Sequence, residues 1–313
     1  MALGSVYIEN RDEKGAIVKS AWDRWVGSHR VRFYVSLGYM ALLVSLVVFS
    51  YWTSYDGQDY KSDEKFLSPR LSSPGHVFGT DDAGRDVFIR TIVSSKVIFL
   101  PGLVATLISM TLGTILAIAS GGIWRGRLAQ GLRLGGGSLL DVLEAFPKYV
   151  TLLLVVAILS RPDFYDIAVV LGVLSASRMG KLILTQIEAL KERDFVRSSE
   201  ALGISKLDLV LRHILFYNCI GLYIIQAAAM MADVILVEIA LSYFGSISLS
   251  GMGITVEPPM PSWGSLLVHG SNHLKTAWWI SFFPAAIVVL SILVCYMLAD
   301  SANKLFSERM SVD

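Results

Sequence analysis

Apolar residues along this chain gather in long blocks separated by polar stretches, and the blocks match the length of a lipid crossing. A spanning helix needs roughly 20 mostly apolar residues. Phe33 to Trp52 meets that need, as do Val97 to Ile123, Leu139 to Leu159, Ile214 to Tyr243 and Ala277 to Leu298. A further block, Ile167 to Leu184, is interrupted by Arg178 and Lys181. Lipid cannot satisfy free backbone N–H and C=O groups, so each block is predicted to be helical. The expectation is an all-α membrane protein of about six transmembrane helices. The predicted organisation is an N-terminal arm over 1–32, a first helix over 33–52, a polar loop over 53–95, a five-helix core over 96–300 and a tail over 301–313.

Composition agrees. Of 313 residues, 54% are hydrophobic and only 17% charged, against about a quarter charged in soluble domains. The mean hydropathy is +0.57. A net charge of +1 without a basic patch gives no footprint for nucleic acid. Cys219 and Cys295 lie far apart inside apolar blocks and read as small buried side chains. The first 32 residues are mixed in charge, and no small-residue cleavage site follows the first apolar run, so that run is expected to be a retained helix.

Basic residues set the expected orientation. Seven Lys and Arg fall between Arg178 and Arg212. The short loops on the other side hold Arg161 and Lys275. Both termini are therefore expected to be cytoplasmic. The loop from Thr53 to Lys96 holds six basic residues but is long and also acidic, and long loops follow the rule poorly.

Three local patterns carry chemistry. Ala105, Ser109, Gly113, Ala117 and Gly121 recur every four residues, so one helix face is lined by small side chains. Small residues let helix backbones approach closely in lipid, which suits a transporter core and equally any membrane packing seam. Between the fourth and fifth blocks, at about 191–213, Ser198 or Ser199 can cap a short helix that Gly203 ends in a left-handed conformation. A second amphipathic helix from about Ser205 would present Leu207, Val210, Leu211 and Ile214 on one side. Such a segment suits a lever docking in another protein's groove, and also an ordinary basic loop. No phosphate-binding loop, His-Glu-x-x-His or Gly-x-Ser-x-Gly occurs, so the chain is not expected to hydrolyse ATP or act as an enzyme.

The loop is similar to the cytoplasmic signature of importer-type ABC permeases. Gly203 stands at that pattern's glycine, within Glu200-Ala-Leu-Gly203, and Leu215 at its downstream leucine. Arg197, Ser198 and Ser199 stand where the pattern has Glu-Ala-Ala, His213 where it has Ile, and Phe216 where it has Pro. Further phrases resemble the dipeptide, oligopeptide and nickel permeases, second-subunit type. They are Phe78-Gly-Thr-Asp81 with Gly84-Arg85-Asp86, Asp141 to Pro147, Glu238 to Gly245, and Pro258 to Gly264 with its Trp263-Gly264. Ala277-Trp-Trp279 and Phe283-Pro284 complete the series.

The resemblance implies a type I ABC importer permease fold in a bacterial inner membrane. It implies a second permease subunit, one or two cytoplasmic ATPases holding ATP and Mg, and an extracytoplasmic substrate-binding protein delivering short peptides. It implies no cofactor bound by this chain. On it, Arg197, Ser198, Ser199, Glu200, Ala201, Gly203, Lys206 and Leu207 are expected to contact the ATPase. Nickel or another small solute is an alternative cargo, and a stand-alone secondary transporter or channel an alternative of another class.

Polar residues inside membrane spans are candidates for function by default. Gln226 and Asp233 are seven apart on the fifth predicted helix and can line a pathway. Equally, Gln226 can bond to a neighbouring helix and Asp233 can sit at a helix end. Glu238 is expected to tether the outer end of that helix. Glu144 and Lys148, four apart, can pair on a helix surface, with Asp141 one turn before. His269 and His273 have a spacing two metal ligands can use. With Gly270 between them and no third ligand close in sequence, they read as outer-loop residues, and no metal is expected.

Overall fold

The computed structural model describes residues 29–52, 61–69, 76–122, 127–159, 163–191, 193–251 and 261–310. Most of the predicted N-terminal arm and the Pro258-Pro-Met phrase lie outside them. Among the described residues the chain is helical, in the order α1 His29–Trp52, α2 Val87–Ser120, α3 Arg127–Ala145, α4 Lys148–Ile158, α5 Phe164–Leu190, α6 Asp194–Ala201, α7 Ile220–Gly251, α8 Trp263–Ser271 and α9 Trp279–Met310. Five of these, α1, α2, α5, α7 and α9, are long and apolar enough to cross a membrane.

The third predicted helix is not one element. It breaks at Phe146-Pro147 into α3 and α4. Proline lacks the N–H that a continuing helix would use, and it pushes the preceding residue out of helical geometry. The 11 residues of α4 span only roughly 16 Å, too short to cross a membrane alone. Both pieces pack against the bundle. Gly136 of α3 lies against Ser120 at the end of α2, Leu140 against Gly180, and Leu152 of α4 in a buried cluster with Ile98, Leu171 and Val237.

Other boundaries move for physical reasons. The second predicted helix starts ten residues early, at Val87, because Asp86 caps it by accepting from the Ile89 amide at 2.9 Å. The polar loop therefore ends at Asp86, not at residue 95. The predicted interruption at Arg178 and Lys181 does not occur, since both charges find carboxylates and α5 runs through. The predicted tail is largely helix, with Ser301 and Ala302 fully buried.

The small-residue face of α2 is the centre of the bundle. Ala105, Ser109 and Ala117 are fully buried, and α2 with α5 forms the most extensive helix pair among the described residues. A Cβ at Gly113 would stand 2.6 Å from the Ala176 carbonyl oxygen and 2.9 Å from the Gly180 nitrogen. One at Gly172 would stand 2.8 Å from the Ala105 carbonyl, and one at Gly121 would meet Ile187 at 2.8 Å. Backbone thus meets backbone, and the order of these contacts makes α2 and α5 parallel. The α3–α4 pair returns between them.

Helix α9 lies antiparallel to α1, joined by Tyr39 Oη to Ser291 Oγ at 2.9 Å and Arg32 Nη1 to Asp300 Oδ2 at 3.3 Å. The start of α1, α6 and the end of α9 therefore share one end of the bundle. Residues 61–69 and 76–86, α8 and the turn before α9 share the other.

Gly113→Val is expected to destabilise the protein by about 1–3 kcal/mol through overpacking, while Gly38→Ala, at a position with nothing within 4 Å, should be close to neutral. Thermal unfolding in mild detergent compares the two, and equal midpoints would contradict the seam.

Candidate functional site

Three polar constructions interrupt this apolar bundle. The first closes the end that carries α8. Asp81 is 1% exposed. It accepts from the Ala83 and Arg85 amides at 2.9 Å each, from Arg85 Nε at 2.8 Å and from Arg90 Nη1. A buried carboxylate needs this many donors because its hydration is gone. Gly84, at φ +77°, passes directly beneath the Lys61 carbonyl, where no side chain fits. Asp86, besides capping α2, holds His76 Nδ1 at 2.7 Å, and His76 Nε2 stands 3.2 Å from Glu64. The Lys61 hydrogen bond and the nearby His76 hold the Glu64 carboxyl below its usual range.

The Phe78 to Asp86 phrase is thus a cap that sits on α9, with Trp279 Nε1 donating to the Thr80 carbonyl at 3.1 Å and Phe78 stacked on Phe283 at 4.1 Å. Trp263 and Gly264 open α8 on the same surface. Trp263 Nε1 donates to the Thr91 carbonyl at 2.8 Å, and the Gly264 amide donates to Glu238 Oε2 at 3.0 Å. Glu238 is 3% exposed and also accepts from Ser242 at 2.9 Å. Its carboxyl accepts from a free amide at the start of α8. Glu238 therefore ties α7 to α8.

The second construction lies at the break between α3 and α4. Asp233 is not at a helix end. It stands well inside α7, with Lys148 Nζ at 2.8 Å and Arg178 Nη1 at 3.4 Å. Lys181 Nζ lies 2.8 Å from Asp141 Oδ1 and also bonds Glu144. The predicted Glu144–Lys148 pair does not form, because Pro147 ends the helix between them. Three cations and three carboxylates instead connect α3, α4, α5 and α7. Sequence reading missed these partners, although two cations within one apolar run already required counter-charges. Gln226, 3% exposed, lies on α7 one heptad before Asp233.

The third construction is at the opposite end. Helix α6 starts at Asp194, so Ser198 and Ser199 lie inside it and do not cap it; Ser198 Oγ donates back to the Asp194 carbonyl at 2.9 Å. Ser199 is buried at 8% exposure. Gly203, at φ +77°, ends the helix, and the Ile204 amide returns to the Ser199 carbonyl at 3.1 Å, the longer bond of a Schellman motif. The side chains of Arg197, Glu200, Ala201 and Leu207 lie outside the described residues.

Ser205 then caps the single turn Lys206–Asp208, accepting from the Asp208 amide at 3.1 Å. Past it the chain widens into a π-helix, Leu209–Phe216, in place of the expected amphipathic α-helix. The wider turn buries Val210, Ile214 and Leu215 and leaves Leu211 47% exposed. Val210, Ile214 and Leu215 pack with Met179, Ile183 and Ile187 of α5. The stretch that follows α6 is thus packed on α5.

Replacing Asp233 with Asn leaves Lys148 and Arg178 without their shared carboxylate. The expected cost is roughly 1–3 kcal/mol, between the values for exposed and buried pairs. In a double-mutant cycle the Asp233→Asn, Lys148→Gln pair should recover part of it; strict additivity in detergent unfolding would show that the ion pair does not form.

No family model matches the chain. Comparison with characterised proteins finds relatives along most of its length. The oligopeptide transport system permease protein OppC of Escherichia coli is 27% identical over 94% of this chain and 93% of its own. The glutathione transport system permease protein GsiD of Pectobacterium atrosepticum is 26% identical over 92% of this chain and 90% of its own. The dipeptide transport system permease protein DppC of Alkalihalophilus pseudofirmus is 27% identical over 78% and 76%.

Proposed function

We propose that this chain, a multi-pass membrane protein homologous to the permease proteins of peptide transport systems over about nine tenths of its length, is one permease half of an ATP-driven importer of short peptides. The observation that carries the reading is α6. A short, charged helix ended by Gly203 stands at the bundle end shared by the start of α1 and the end of α9, and the Leu209–Phe216 stretch that follows it packs on α5 and Ala117 of α2. This is the geometry of a lever.

In the proposed mechanism that end is cytoplasmic, as the concentration of basic residues there also favours. Partner ATPases, with ATP and Mg, grip α6 through the residues from Arg197 to Leu207. Closure of the ATPases displaces α6, the Leu209–Phe216 stretch transmits the shift to α5, and α2 follows because its backbone is in contact. A second permease subunit supplies the other half of the pathway. The Asp81 cap and α8, at the outer end, face the binding protein that delivers cargo. Gln226 and the Asp233 cluster stand on the helix nearest the proposed path. Peptide termini are charged, and the Asp233 cluster offers both signs of charge along an otherwise apolar route.

Gly203 gives a direct test. The space around it is open, and an added Cβ would meet nothing within 4 Å, so substitution acts through backbone conformation alone. A β-branched residue there costs about 1–2 kcal/mol, whereas Asn tolerates the left-handed region. In the assembled transporter, Gly203→Val should hydrolyse ATP without matching uptake, and Gly203→Asn should retain most coupling. Normal coupled uptake in the Val variant at normal expression would sink the lever assignment. Purification in mild detergent is expected to bring down a second permease and one or two ATPases; a stable homo-oligomer alone would refute the importer reading.

A further inference from the structure

At the outer end of the bundle, three metal-ligating side chains from distant parts of the chain converge. His269 lies in the last turn of α8 and His273 in the turn that follows. Their rings are 5.4 Å apart. The third group is Asp82, 187 residues before His269, in the loop held by Asp81. His269 Nε2 stands 2.8 Å from Asp82 Oδ1 and His273 Nε2 3.9 Å from Asp82 Oδ2. One ligand atom from each residue lies within 4.8 Å of the others.

We propose that Asp82, His269 and His273 bind a divalent transition-metal ion of the zinc class, which staples the Asp81 loop to α8. Two imidazoles and one carboxylate form a donor set that zinc accepts with a fourth position open to water. Imidazole donors favour zinc, copper and nickel over magnesium and calcium. In a tetrahedral site with bonds of about 2.0–2.1 Å, neighbouring ligand atoms stand about 3.3 Å apart. The observed separations, 2.8 and 3.9 Å to the two Asp82 oxygens, lie on either side of that value. On binding, the metal takes the Nε2 lone pair of His269, and the neutral ring carries its proton on Nδ1.

The surroundings hold the ligands in place. The Thr276 and Ala277 amides both return to the His273 carbonyl, at 3.0 and 2.7 Å. Gly270 allows the end of α8 to press on the start of α9, where any Cβ would meet Ser281. Phe66, whose φ of 53° is unusual for a bulky residue, places its ring 5.4 Å from His273. Each of the three side chains keeps between 28% and 36% exposure, which gives an ion access from the outer solution.

The test uses the full chain with whatever partners copurify, carrying a tag without histidines and stripped with chelator. Cobalt titration should give one saturable ion per chain with the intense d–d absorption of tetrahedral coordination, and zinc should displace it. Asp82→Asn and His269→Gln should each weaken binding by at least the roughly 10–100-fold that outer partners of metal sites are worth. His213→Gln, at the opposite end of the bundle, should leave it unchanged. Absence of saturable cobalt or zinc binding by the wild-type chain would overturn the proposal, as would binding that survives loss of both His269 and His273. The readout is the metal itself, so it stands or falls separately from peptide transport.

Discussion

The close backbone contact between α2 and α5 is the constraint on which the rest of this structure depends. In lipid there is little hydrophobic gain in joining two apolar helices, so association rests on packing. Packing is best where backbones meet, and the glycines at 113, 121, 172 and 180 allow that. Once α2 and α5 are parallel and in contact, the chain between them must cross the bundle in the opposite sense. The α3–α4 pair does so with a break at Pro147, and the break exposes polar backbone and side chains at membrane depth. The charges around Asp233 collect there.

The same seam gives the two ends of the molecule different roles. At one end Asp81 fixes its own loop, and Glu238, Trp263 and Trp279 bond across segments distant in sequence. That end is built to hold a fixed shape. At the other, α6 ends at Gly203 with Val196 and Ser199 buried, and the π-helical stretch beside it is deeply packed against α5. An element joined to the core in this way can transmit a displacement. The difference is one of apolar contact and follows from which residues are buried on each side.

Charge is handled in two ways. Asp81 and Glu238 are fixed structural carboxyls, hydrogen-bonded and shielded from water. Asp233 shares two cations that come from different helices, one of them more than half exposed. A buried, saturated carboxylate fixes geometry. A carboxylate with competing partners can exchange them as the helices move.

Much of this was legible in the sequence, for definite reasons. Apolar block length determined the membrane class and the near-sixfold crossing, because a lipid core has a fixed thickness. The four-residue spacing from Ala105 to Gly121 identified a packing face, because helical periodicity is local. Gly203 identified a helix end, because a left-handed backbone excludes most other residues. Helix ends at Val87 and Asp194 were misread because hydropathy does not register the caps and ion pairs that extend a helix past its apolar run. What only the tertiary structure decided are the meetings between distant residues: Lys148 and Arg178 with Asp233, Lys181 with Asp141 and Glu144, and Asp82 with His269 and His273. Nothing local in the chain specifies such a pair, since its separation depends on how whole helices pack, and a histidine pair that looks incomplete in sequence gains its carboxylate only when the bundle closes.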